Sequence, residues 1–164
     1  MSDDWSKNYI DVHRERQQER QNQQRRADLA RAGAPDFFQR IKERIKHDLQ
    51  VFYGANVLQS LKLREESATK YIVFHSSPTV RLQVELDTLF IKYEYTFYED
   101  NGEGKENLRR ETGALRICSD LSGILRSRRN GTSLASESEV SKFFLQPMLD
   151  FIDGPVEEHG VETW

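Results

Sequence analysis

A chain of 164 residues with 24 Lys and Arg against 27 Asp and Glu fits one domain plus an appendage. Its formal net charge of −3 excludes a whole-molecule field strong enough to draw nucleic acid or anionic lipid, so any such binding must be local. The single cysteine, Cys118, excludes an internal disulfide and a multi-cysteine zinc site, and a reducing, cytoplasmic compartment is the expectation.

In chain order, residues 6–32 are rich in Gln, Arg and Glu and contain no Gly or Pro, which favours a helix. After Tyr9, Ile10 and Val12 the next sizeable apolar side chain is Leu29, so this helix has no core face and is expected to be exposed or partner-dependent. Gly33-Ala34-Pro35 is expected to close it and open the next helix, because Gly suits a helix end and Pro a first helical turn. Phe38, Ile41, Ile45, Leu49 and Phe52 then recur at spacings of three and four, which predicts an amphipathic helix over residues 35–53 ending at Gly54.

Beyond Ala55 the apolar period shortens to two. The clearest strands are predicted over 79–86, with Val80, Leu82, Val84 and Leu86 on one face, and over 89–98, with Leu89, Ile91, Tyr93, Tyr95 and Phe97 on one face. Only Asp87-Thr88 separates them, which predicts an antiparallel hairpin. Further strands are expected over 57–63, 70–75 and 108–118, the last interrupted by Gly113, with a short sixth around 123–128. Residues 99–107, with Asn101-Gly102 and Gly104, read as a connecting loop. Ser136 followed by Glu139 is a capping-box pattern that starts a final helix, whose stripe runs through Val140, Phe143, Phe144, Met148, Phe151 and Ile152. Pro147 inside it predicts a kink or break, and Gly154-Pro155 its end.

Chemistry-bearing patterns are sparse. His75-Ser76-Ser77 invites a nucleophile reading, but adjacent strand residues point to opposite faces, so a strand-end turn is preferred. Cys118 reads as a small buried filler at a strand end rather than a thiol site. The four histidines are dispersed, no metal is implied, and His47-Asp48 does not share a helix face. Gly102-Glu103-Gly104 lacks the further glycine and helix of a dinucleotide site, so no cofactor is expected. Asn130-Gly131 reads as a turn.

Arginine is the enriched functional group. Arg14, Arg16, Arg20, Arg25, Arg26 and Arg31 crowd the first helix against Glu15, Glu19 and Asp28, yet they spread around it instead of forming one basic stripe. A second group, Arg126, Arg128 and Arg129, follows Arg109, Arg110 and Arg116; paired strands would gather these into an anion site or a charged sheet edge that resists aggregation. A polar sheet face carrying Arg81, Gln83, Glu85, Lys92, Glu94 and Thr96 beside Phe90 and Tyr98 is a third candidate surface.

The expected architecture is α+β: an antiparallel sheet of about five strands with two amphipathic helices packed on one face, preceded by a polar N-terminal helix. Residues 1–33 form a helical extension, 34–154 a single domain and 155–164 an acidic tail. No segment approaches the roughly 18 apolar residues of a membrane span, and no membrane partner is expected. The favoured function is a non-catalytic protein-interaction or small assembly module with a protein partner or self-association. The alternatives are a nucleic-acid-binding accessory protein using its Arg-rich surfaces, or an enzyme with an unrecognised site.

Overall fold

The computed structural model describes residues 2–100, 106–134 and 136–154. The acidic tail expected over 155–164 and the centre of the loop expected over 99–107 lie outside the described residues. The element order is α1 (Ser2–Gly54), β1 (Lys62–Ser67), β2 (Lys70–Ser76), β3 (Thr79–Asp87), β4 (Phe90–Asp100), β5 (Glu106–Ser119), β6 (Leu125–Arg129), β7 (Thr132–Leu134) and α2 (Glu137–Asp153). Among the described residues the strands form a single antiparallel sheet of seven in sequence order, each paired with the next along the chain.

The first helix runs unbroken through Gly33-Ala34-Pro35, where a break was expected, and its 53 residues span about 80 Å at 1.5 Å per residue. Burial explains the continuity. Ala30, Ala34, Phe37, Phe38, Ile41, Ile45 and Leu49 follow one helical stripe into the core, and each large apolar side chain buried there stabilises by about 1.5–3 kcal/mol, enough collectively to offset the proline. Gly33 serves contact rather than termination: a Cβ on it would lie 2.7 Å from Leu125 Cδ1 of β6, so its missing side chain lets helix and sheet close together.

The inner face of the sheet matches the period-two reading. Val80, Leu82, Val84, Ile91, Tyr93, Tyr95 and Phe97 are all buried, beside Tyr71, Val73, Leu115 and Ile117 of the neighbouring strands. Gly113 does not interrupt β5, because it pairs with Tyr93 and leaves the room that ring occupies; a Cβ there would sit 2.4 Å from Tyr93 Cζ. The strand expected over 57–63 is displaced. Residues 57–61 form no strand, Leu58 having a φ of 54° and Asn56 just before them one of 56°, and the edge strand is instead the charged run from Lys62. Its inward Glu65 pairs with Lys42 and Lys46 of α1, which ties the edge to the helix.

The capping reading of the last helix holds: Ser136 accepts from the Glu139 amide. That helix continues through Pro147 without a break. Proline denies the Phe143 carbonyl its helical donor, and the buried Tyr95 hydroxyl of the sheet reaches into this gap, donating to Phe144 O at 2.7 Å and lying 3.5 Å from Phe143 O. The two helices are joined by the buried Ser141 hydroxyl, which donates to Asp48 at 2.6 Å. Both cover the same sheet face; among the described residues the opposite face carries no helix.

Candidate functional site

Two features stand apart from the core. The first is the N-terminal part of α1. Residues 4–25 are exposed, Ser6 and Asn22 excepted, and extend the helix roughly 30 Å past its packed portion. Trp5, Tyr9 and Val12, at spacings of four and three, keep to one side of this arm and are 68%, 62% and 42% exposed. At about 100° per residue that side continues into the stripe buried at Ala30, Ala34 and Ile41, so a face that is core in one half of the helix is bare in the other. Arg14, Arg16, Arg20 and Arg25 lie exposed on the arm without a common stripe, and Arg31 is held by Asp28 at 3.2 Å.

The second feature is a cleft of about 630 Å³ between α1 and the β5–β6 end of the sheet. It arises because β5 outruns β4: Arg116 pairs with Phe90, the first residue of β4, so Ile117–Ser119 has no β4 partner and only the Leu89 carbonyl meets the Ile117 amide. Arg26 enters from the helix, and Arg116, Arg126 and Arg128 from the strands. Arg116 and Arg128 are direct register partners, as are Cys118 and Arg126, so all four share one sheet face. No ion-pair partner is present for Arg116, Arg126 or Arg128 among the described residues, whereas Arg26 meets Glu19 at 3.7 Å. Asp120, the one acidic residue among the described residues lining the cleft, is engaged locally. Its carboxylate accepts from the Ser122 hydroxyl and from the Ser122 and Ile124 amides, and those hydrogen bonds hold its pKa below the ordinary aspartate value.

The cleft divides the predicted arginine groups differently from their order in the sequence. Arg126 and Arg128 lie with Arg116 on the helix-free face, opposite the buried Leu125 and Ser127, whereas Arg26 lines the cleft from α1 on the other side. Arg129, which was grouped with them, faces the other way and stacks over Phe143 at 5.4 Å, because alternation along a strand sends neighbours to opposite faces. Arg109 also faces inward, bound to Glu99 and Glu111. Cys118, expected as buried filler, is half-buried in the cleft wall. Asn130-Gly131 is the expected turn, with positive φ at both residues.

The third candidate surface is the helix-free sheet face. Arg81 and Lys92 are exposed there, Glu94 is half-buried and Thr96 is buried between its cross-strand neighbours Arg81 and Arg110. Lys92 is paired with Asp87 at 2.6 Å, and Arg81 shares a shallow hollow of about 260 Å³ with Ile72, Phe74 and Tyr98. His75 is buried, and its Nδ1–H donates to the Pro78 carbonyl at 2.7 Å. No group of His, Cys, Asp and Glu side chains suited to a metal ion occurs among the described residues, and none of their helices is long and apolar enough to cross a membrane.

Comparison with protein-family models, with curated proteins and with solved structures returned no match.

Proposed function

We propose that this chain is a non-catalytic interaction or assembly module whose contact element is the N-terminal arm of α1. The observation that supports this reading is the uncovered stripe of Trp5, Tyr9 and Val12 on a helix that has no core of its own along residues 4–25. An isolated polar helix of this length gains little stability from its backbone alone, and burial of an apolar stripe is the usual source of the rest. Aromatic side chains at the end of an exposed helix also match the anchors that dominate protein interfaces.

The reading is tested by comparing the full chain with a chain lacking residues 1–22 and with a Trp5→Ala/Tyr9→Ala variant. Sedimentation velocity reads self-association, and recovery of bound protein from native cell lysate after nuclease treatment reads a partner. The expected result is association by the full chain that both variants lose while their melting temperature is kept. Identical association profiles for all three proteins reject the arm as the contact.

A further inference from the structure

We infer that the partner of the arm is a second copy of this chain, the two arms pairing antiparallel so that Trp5 of each copy enters the apolar side of the other's cleft. This rests on the reading of the arm as the contact element and names what it contacts.

Spacing is the first argument. The alternating steps of four and three that relate Trp5, Tyr9 and Val12 continue without a slip to Ala30, the repeat by which one helix keeps a single side toward another. Run in the opposite direction, this stripe matches itself about a point between Gln17 and Gln18. Trp5 then stands opposite Ala30, Tyr9 opposite Arg26, Val12 opposite Gln23 and Arg16 opposite Glu19. A large ring meets a small residue, an aromatic ring meets a guanidinium, and opposite charges meet at the centre. A two-fold pair of identical copies requires this self-complementary form. Charge fixes direction and register. The Arg16–Glu19 contact is made twice, once on each side of the axis. Parallel pairing in register would instead set Arg16 against Arg16 and Glu19 against Glu19. Sliding the antiparallel pair by seven residues sets Arg16 against Arg26 one way, and Val12 against Arg16 the other. Within one copy Arg16 has no ion-pair partner among the described residues, and Glu19 meets Arg26 only at 3.7 Å.

The cleft is the second argument. Gln23, Arg26, Ala27 and Ala30 form its α1 side and continue the stripe of the arm, while Leu89 and Ile117 add apolar surface from the sheet. Antiparallel pairing brings the second copy's Trp5 level with Ala30, at this apolar side. An indole that is 68% exposed in the single chain is thereby covered, and buried aromatic anchors of this kind dominate protein interfaces. Arg116, Arg126 and Arg128 lie on the far side of the sheet and take no part.

Sedimentation velocity of the full chain and of two charge reversals, Arg16→Glu and Glu19→Arg, tests the inference. The expected result is a dimer for the parent protein and a dissociation constant raised at least tenfold in each variant, with melting temperatures kept. Mixing the two variants should restore the dimer, because each then supplies the opposite charge at both contacts. Direction is read by oxidation in a Cys118→Ser background. Val12→Cys/Gln23→Cys should cross-link two copies, since eleven residues of helix, about 16 Å, keep the two thiols of one copy apart, and Val12→Cys alone should not. A parent protein that stays monomeric overturns the inference, and if residues 1–22 then still recover another protein from lysate, the arm remains the contact. A dimer that survives deletion of residues 1–22 overturns both readings. A dimer that needs those residues but ignores the charge reversals, or cross-links through Val12→Cys alone, overturns the antiparallel pairing.

Discussion

Gly113 shows how a single residue is fixed by its neighbour across the sheet. Its pairing with Tyr93, whose ring packs edge-on against Phe143 and Phe144, leaves no space for a methyl group. Gly113→Ala should therefore destabilise the protein by about 1–3 kcal/mol through overpacking, although alanine is the better strand former in isolation. Urea unfolding measures this, and an unchanged midpoint would show that the ring moves aside freely. Glu65 is governed by charge instead. Hydrogen bonds from Lys46 and Lys42 hold its carboxyl below the ordinary value of 4.5. A depressed folded-state pKa contributes stability that is complete above that ordinary value and disappears as pH falls through the lowered one. Compared across pH, the parent protein should be more stable than Glu65→Gln at neutral pH, with the gap closing only in acid below pH 4.5; a gap independent of pH would show that charge plays no part.

At the scale of elements, α2 and the sheet complete each other's hydrogen bonding. Pro147 strips the donor from the Phe143 carbonyl, and the Tyr95 hydroxyl, bonded to the Phe144 carbonyl at 2.7 Å, also lies 3.5 Å from Phe143 O, so part of the cost of losing the hydroxyl depends on the proline. Tyr95→Phe should cost about 1–3 kcal/mol in the parent protein and distinctly less in a Pro147→Ala background, where the helix amide at 147 is restored. The double-mutant cycle reads this coupling, and additive losses would exclude it. Tyr71 provides the contrast: its hydroxyl is fully buried with no hydrogen-bond partner among the described residues, and burial pushes its pKa up. Tyr71→Phe should cost nothing or stabilise.

For the whole molecule, α1 is both a core element and a projection, and the division falls within a continuous helix. Removing residues 1–22 should leave the melting temperature within a few degrees, because residues 4–22 are exposed, Ser6 and Asn22 excepted. Extending the cut to residue 33 removes the buried Ala30 and the Leu29 side chain against Gly123, and should lower it measurably. Equal melting temperatures for the two truncations would place the edge of the folded body further along the chain. The two surfaces also lie on one helix, since Gln23, Arg26, Ala27 and Ala30 line the cleft just past the arm.

By itself the sequence determined what depends on local periodicity: the stripe from Phe38 to Leu49, the alternation that buries Val80 to Val84 and Ile91 to Phe97, the Ser136 cap, the Asn130-Gly131 turn and the lack of a core along the arm. These are legible because side-chain direction repeats with a fixed period and caps and turns have residue-specific chemistry. Tertiary structure alone decided that Gly33 and Pro35 lie inside a helix, that Gly113 sits within a strand, and that the short strand β7 completes the sheet. It also decided that Arg116, Arg126 and Arg128 share the helix-free sheet face while Arg129 turns toward α2. Each of these depends on a partner remote in the chain or on strand register, and local propensity carries information about neither.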